Sequence, residues 1–258
     1  MHDYLNFFKM KKTVIITGGN RGIGLDITTS FVEAGYKVYV TGRNEYDLKT
    51  KFGNDISFFK MDVRNSMDHK LIVEKVIKEN GQLDCYINNA GFSKWMPIEK
   101  IEDEFLTEII DTNLKGVFWG CKYASISMKS GSSIINISSL AGKRGSSNNS
   151  AYCATKFGVN GITQSLAKEI GPRNIRVNAL CPVLIPTDGL IDALNEPYSP
   201  TAGENPIDWI NNFGLSNAAF KRLPTGIEVG SMCVFLASKS SSGITGQCIN
   251  VDCGVLPQ

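Results

Sequence analysis

Apolar runs of strand length alternate along this chain with stretches whose apolar residues recur every three or four positions. The runs at 14–17, 38–41, 56–60, 83–87, 133–137, 176–180 and 248–251 read as strands. The stretches at 22–34, 66–78, 102–128, 151–169 and 226–237 read as helices. In 66–78, Ile72, Val73, Val76 and Ile77 form one stripe, and Gly35 stops the first helix. Strands apolar on both faces and separated by helices predict an α/β fold. Its sheet is doubly wound, mostly parallel and of about seven strands, with helices on both faces. Ligands then bind at the carboxyl ends of the strands. One stretch, 183–223, follows neither period. It carries Pro186, Pro197, Pro200 and Pro206 among Tyr198, Trp209 and Phe213, and an insertion this long after a strand predicts a substrate lid. No composition break marks a second domain, so a short N-terminal extension, 1–11, is expected ahead of one domain, 12–258.

Composition narrows the function. The 258 residues are 42% hydrophobic, enough for a substantial core. A net charge of +2 without a dense Lys/Arg run argues against nucleic acid and membrane surfaces as partners. No run reaches the roughly eighteen apolar residues that a membrane-spanning helix needs. Residues 1–9 lack a signal peptide's apolar segment and read as an appendage before a natural start at Met10. Cys85, Cys121, Cys153, Cys181, Cys233, Cys248 and Cys253 are scattered with no Cys-x-x-Cys pair, as in a cytoplasmic protein with reduced thiols. His2 and His69 are the only histidines, which argues against a metal site and a Ser-His-Asp triad.

The first strand runs into Thr17-Gly18-Gly19-Asn20-Arg21-Gly22-Ile23-Gly24 and then a helix. Gly18 permits a tight turn, Gly22 close approach of backbone to a pyrophosphate, and Gly24 close helix packing. The helix N-terminus offers free N–H groups and positive dipole to phosphate. The second strand ends at Arg43, where a carboxylate would suit a ribose 2′-hydroxyl; a guanidinium suits a 2′-phosphate instead. With Arg21 beside it, this favours NADP(H). Further on, Tyr152 and Lys156 lie four apart, on one face of a helix. An ammonium near a phenol favours phenolate, so Tyr152 is expected to have a lowered pKa and to act as general acid/base.

Together these motifs resemble the short-chain dehydrogenase/reductase family, in its compact single-domain, Rossmann-like branch, over residues 12–254. Asn88-Asn89-Ala90-Gly91 resembles the family's Asn-Asn-Ala-Gly motif, and Tyr152 with Lys156 its Tyr-x-x-x-Lys pair. The resemblance implies a catalytic tetrad of Asn113, Ser139, Tyr152 and Lys156, with Ser139 preferred to its neighbour Ser138. It implies cofactor contacts from Gly18, Asn20, Arg21, Gly22 and Ile23, from Arg43, from Asp62 (to the adenine amino group) and Val63, and from Asn89, Ala90 and Gly91. Tyr152, Lys156, Pro182, Ile185 and Thr187 would complete that set. It further implies that Ser139 holds the substrate oxygen, that Lys156 binds the nicotinamide ribose, and that a proton relay passes Asn113. Val183 stands where the family has glycine, and Cys253 where a second glycine is commoner.

The implied activity interconverts a carbonyl and a secondary alcohol on a small molecule. Polar lid residues, among them Asn195, Glu204, Asn205 and Asp208, lean toward a sugar-like substrate, and a 3-oxoacyl thioester stays open. Lys94, Lys143 and Arg144 are candidates to meet an anion, Lys129 and Arg173 to dock a carrier. A non-catalytic NADP(H)-binding sensor of the same fold is the alternative. The resemblance also implies a homo-oligomer, a tetramer or dimer, pairing helices 102–128 and 151–169.

Overall fold

The computed structural model describes residues 11–44 and 48–257; the appendage expected at 1–9 lies outside them. Seven strands among the described residues form one parallel sheet. They are β1 (Thr13–Thr17), β2 (Lys37–Gly42), β3 (Ile56–Lys60), β4 (Cys85–Asn88), β5 (Ser133–Ile137), β6 (Arg176–Pro182) and β7 (Cys248–Val251). The spatial order is β3-β2-β1-β4-β5-β6-β7. The chain reverses direction across the sheet between β1 and β4, and a crevice opens at their carboxyl ends.

Alternation along each strand feeds two cores. Val14 and Ile16 of β1 face one side, together with Ile27 and Phe31 of α1 (Gly22–Glu33) and Val229, Cys233 and Leu236 of the C-terminal helix Gly226–Ala237. Ile15 faces the other side. There it joins Ile72, Val73 and Val76 of the helix Ser66–Asn80, Val117 and Cys121 of Gly116–Ser127, and Val159 of Ser150–Ile170. Burying each such side chain contributes about 1.5–3 kcal/mol, so covering both faces is what closes the sheet to water. In chain order the helices after α1 are α2 (Leu48–Phe52), α3 (Ser66–Asn80), α4 (Asp103–Ile110), α5 (Gly116–Ser127), α6 (Ser150–Ile170), α7 (Asp188–Leu194), α8 (Pro206–Asn217) and α9 (Gly226–Ala237).

Two departures from the sequence pattern have local causes. The single helix expected over 102–128 is α4 and α5 joined by a π-helical turn, Asp111–Lys115. Asn113 sits in that turn. Its Oδ1 accepts from the Phe92 N–H at 3.0 Å and its Nδ2 donates to the Phe92 carbonyl at 2.7 Å. A side chain clamped to a strand-end loop forces an extra residue into the turn. The stretch 183–223 is not irregular throughout, since it folds as α7 and α8. Thr187 caps α7, Asn205 caps α8, and Pro206 follows at the first helical position, where its missing N–H costs nothing.

Lys129 and Arg173, the candidate docking charges, are spent on the fold. Arg173 donates to the Ser125 and Met128 carbonyls at the end of α5, at 2.7 and 2.9 Å, and Lys129 donates to the Gly81 carbonyl at 3.0 Å. Cys253 has φ 54, in the left-handed region that glycine adopts more readily, whereas Val183 stays outside that region and needs no glycine.

His69 is fully buried between the Val63 carbonyl, 2.9 Å from Nε2, and the Tyr86 hydroxyl, 2.8 Å from Nδ1. A carbonyl only accepts, so Nε2 carries the proton and Nδ1 accepts from Tyr86. Burial pushes His69 down to about 4, from an ordinary value of 6.5. Between those pH values the unfolded chain binds the extra proton, so stability is lost as pH falls through this window. This group alone is expected to make the protein about 2 kcal/mol less stable at pH 5 than at pH 8. Denaturant melts of the protein and of His69→Gln check this: the loss between the two pH values is expected to shrink in the variant.

Candidate active site

Three glycines of the turn stand where a side chain would be strained or would clash. Gly18 and Gly22 have φ of 63 and 51, where a Cβ is strained. A Cβ on Gly24 would lie 2.0 Å from the Gly18 carbonyl oxygen, so α1 meets the end of β1 only through hydrogen. The neighbouring strand holds the turn: Asn89 Nδ2 donates to the Thr17 carbonyl at 2.9 Å and the Gly18 carbonyl at 3.2 Å. Asn89 N–H and Ala90 N–H both donate to Thr17 Oγ1, at 2.9 and 3.1 Å. Behind them, Asn88 Nδ2 donates to Asn136 Oδ1 at 2.8 Å, and Asn136 Nδ2 to Thr163 Oγ1 at 2.9 Å. This buried chain of amides ties β4 to β5 and α6.

One cleft runs from this turn across the carboxyl ends of the strands. It brings together Gly18, Asn20, Arg21, Gly22, Ile23, Arg43, Asp62, Val63, Asn89, Ala90 and Gly91 with Ser139, Tyr152, Lys156, Pro182, Ile185 and Thr187. Asn113 does not line it; it lies fully buried behind Phe92. Arg21 and Arg43 are exposed along the wall and make no ion pair among the described residues. Thr41 Oγ1, also in the wall, is buried and has no partner among the described residues. Thr187 lies against the turn, 3.5 Å from where a Gly22 Cβ would stand.

Sequence reasoning missed Arg64. Its Nε lies 3.0 Å from both Asp62 oxygens and its Nη2 2.6 Å from one, and this fork holds the Asp62 carboxyl below the usual carboxylate range. Asp62 therefore already has a charged partner, although its ionised oxygens keep accepting capacity. The readable signal was the Asp-x-Arg spacing at the end of β3.

At the other end of the cleft, Ser138 and Ser139 point apart. Ser138 is buried and donates to the Lys156 carbonyl at 3.2 Å. Ser139 caps the short 3-10 turn Leu140–Gly142 and hydrogen-bonds Tyr152. Lys156 Nζ lies 5.6 Å from the Tyr152 ring centroid and donates to the Ile137 carbonyl at 2.9 Å. The lowering expected of Tyr152 rests on Lys156 together with the oxidised nicotinamide ring; in the protein's own groups burial dominates. Burial raises the phenol to about 12, and the hydrogen bond from Ser139 only partly opposes it. Burial also lowers Lys156, to about 8. Near neutral pH Tyr152 is thus a phenol holding its proton, beside a mostly charged ammonium.

The lid turns part of its polar side outward, while Asp188 and Ser199 line the cleft. Asn195, Glu204, Asn205 and Asp208 are exposed and do not line the cleft; Trp209, Phe213 and Tyr198 do. Of the basic candidates, Lys94 is 3.8 Å from Glu196 and Lys143 is not in the lining, whereas Arg144 is.

A parallel sheet in this order, a glycine turn at its switch point, and a Tyr–Lys pair across the cleft define a nicotinamide-dependent oxidoreductase of the carbonyl–alcohol couple. A family model described as enoyl-(acyl carrier protein) reductase matches residues 18–256. A 3-oxoacyl-[acyl-carrier-protein] reductase of Chlamydia muridarum is 36% identical, over 97% of this chain and 100% of its own length. Among solved structures, the aldohexose dehydrogenase of Thermoplasma acidophilum is 31% identical with a TM-score of 0.84, covering 96% of this chain and 98% of that one. ElxO with NADP bound is 30% identical with a TM-score of 0.83, covering 96% and 100%. The chain belongs to the short-chain dehydrogenase/reductase family. No helix among the described residues is long and apolar enough to cross a membrane.

Proposed function

We propose that this chain reduces a ketone with NADPH and that Tyr152 gives the proton. The observation that carries the reading is the meeting of Ser139, Tyr152 and Lys156 at one end of a cleft whose other wall holds Arg21 and Arg43. The cofactor fits what is there. The left-handed turn at Gly18 and Gly22 leaves backbone N–H groups clear of side chains, and the two guanidiniums suit a 2′-phosphate. Asp62 and Val63 would take the adenine, Asn89 to Gly91 the adenosine side, and Pro182, Ile185 and Thr187 the carboxamide end. The bound dinucleotide supplies the hydride.

The residues do the rest. Ser139 holds the carbonyl oxygen by a hydrogen bond, fixing it beside Tyr152. Tyr152, protonated near neutral pH, donates to that oxygen as negative charge develops on it. Lys156 would lower the cost of the phenolate left behind and would bind the nicotinamide ribose. Asn113 positions the Phe92 loop that walls the site. The segment 183–223 closes over the substrate. A purely NADP(H)-binding sensor is not favoured, because all four tetrad residues are present. Phe118 (52% exposed) on α5 and Phe157 (49%) on α6 present apolar surface, which supports a homo-oligomer paired on these helices. All seven cysteines are free, which supports a cytoplasmic protein.

Arg43→Ala tests the cofactor reading. It is expected to raise KM for NADPH about 10- to 100-fold, the worth of a charged hydrogen bond, and to leave KM for NADH nearly unchanged. Equal changes in both would show that Arg43 does not read the 2′-phosphate.

A further inference from the structure

We propose that the cleft takes a ketone built on an aromatic ring and carrying an anionic group, an inference that rests on the reductase reading above. Beyond Ser139 and Tyr152, four rings stand in the cleft lining beside polar Ser93, Asn148, Asn149 and Ser199. Trp209 and Phe213 of α8 pack with centroids 5.4 Å apart and planes at 30°; both are half-buried, and both line the cleft. Tyr198 extends the wall and is held at two points: Lys100 donates to its hydroxyl, and Asn148 Nδ2, itself in the cleft lining, donates to its carbonyl at 3.2 Å. Trp95, 7% exposed, also lines the cleft and belongs to the apolar cluster of Leu194 and Ile210. These faces are held in place before any substrate arrives, which lowers the ordering cost of binding.

This wall suits a ring better than a sugar. Aromatic faces attract another ring by offset stacking or edge contact, beyond the area buried. Sugar hydroxyls find no partner on the ring faces themselves and would have to reach Ser93, Asn148, Asn149 or Ser199, which also line the cleft. Of the polar lid residues, Asn195, Glu204, Asn205 and Asp208 lie on the outer side, whereas Asp188 and Ser199 line the cleft.

Arg144 adds the charge. It lies between the 3-10 turn and α6, exposed and in the cleft lining, and its guanidinium makes no ion pair or hydrogen bond among the described residues. A planar fork in that position suits a carboxylate bidentately. In the reaction the ketone gains a hydride at carbon and a proton from Tyr152 at oxygen, while NADPH is oxidised to NADP+.

The probes are benzoylformate and its two-carbon-longer homologue 4-phenyl-2-oxobutanoate, their methyl esters, their cyclohexyl counterparts, and fructose. NADPH consumption gives kcat and KM, and NADPH fluorescence gives its Kd. At least one aryl oxo acid is expected to exceed its cyclohexyl counterpart about 2- to 12-fold in kcat/KM, and to exceed fructose by more. Arg144→Ala is expected to raise KM about tenfold for the acid and not for its ester. Trp209→Ala is expected to raise KM for acid and ester alike, Trp209→Phe to restore most of it, and NADPH Kd to stay unchanged in all three variants. Preference for fructose or the cyclohexyl acids overturns the inference, as does an Arg144→Ala effect equal on acid and ester, while the reductase reading stands. NADPH binding without consumption of any probe overturns the reductase reading and the inference with it.

Discussion

Tyr152→Phe is expected to bind NADPH with the wild-type Kd and to turn over about 100- to 10,000-fold more slowly, the usual worth of a positioned proton donor. The substitution removes one oxygen and leaves the ring that Lys156 flanks at 5.6 Å. Binding should survive because the glycine turn and the two arginines lie at the far end of the cleft. Steady-state kinetics beside a fluorescence titration separate the two effects. An unchanged kcat would remove Tyr152 from the chemistry. Loss of NADPH binding would instead make its role structural. The raised pKa of Tyr152, about 12, matters here. The protonated phenol is the form that donates in reduction, and alcohol oxidation runs the same transfer backwards from the phenolate.

Gly24→Ala should have the largest effect on the fold. The new Cβ would stand 2.0 Å from the Gly18 carbonyl oxygen and 2.6 Å from Asn89 Nδ2. Neither neighbour can yield cheaply. The first is backbone in a left-handed turn, and the second is the amide that ties that turn to β4. Overpacking of this kind costs about 3 kcal/mol. For a chain of this size that lowers Tm by about 6–12 °C. NADPH binding should weaken at least tenfold, because the displaced backbone is the part that meets phosphate. A wild-type Tm by thermal melt would show that α1 can shift along the sheet at no cost.

The parts legible in the sequence are those that short-range pattern determines. The strands at 56–60, 133–137 and 248–251 have the bounds that their apolar runs suggest, and so does the helix at 226–237. The glycine turn and the Tyr152–Lys156 spacing are equally local. What escaped depends on partners far along the chain. The π-helical turn at Asn113 arises from its grip on Phe92, 21 residues earlier. Lys129 and Arg173 looked like free charge, yet they reach carbonyls at the ends of other elements. The burial that raises the Tyr152 phenol is likewise something a spacing of four cannot report. The lid shows the same limit. Its polar and aromatic residues interleave in sequence, and only the fold of α7 and α8 decides which set faces the cleft.

The most direct test of the account is to follow NADPH absorbance on mixing the wild-type protein with a ketone panel spanning aryl oxo acids, 3-oxoacyl thioesters and ketoses. The account predicts that NADPH is consumed with at least one ketone, in equal amounts with the secondary alcohol formed, and that Tyr152→Phe abolishes most of this. Tight NADPH binding with no consumption across the whole panel would contradict it.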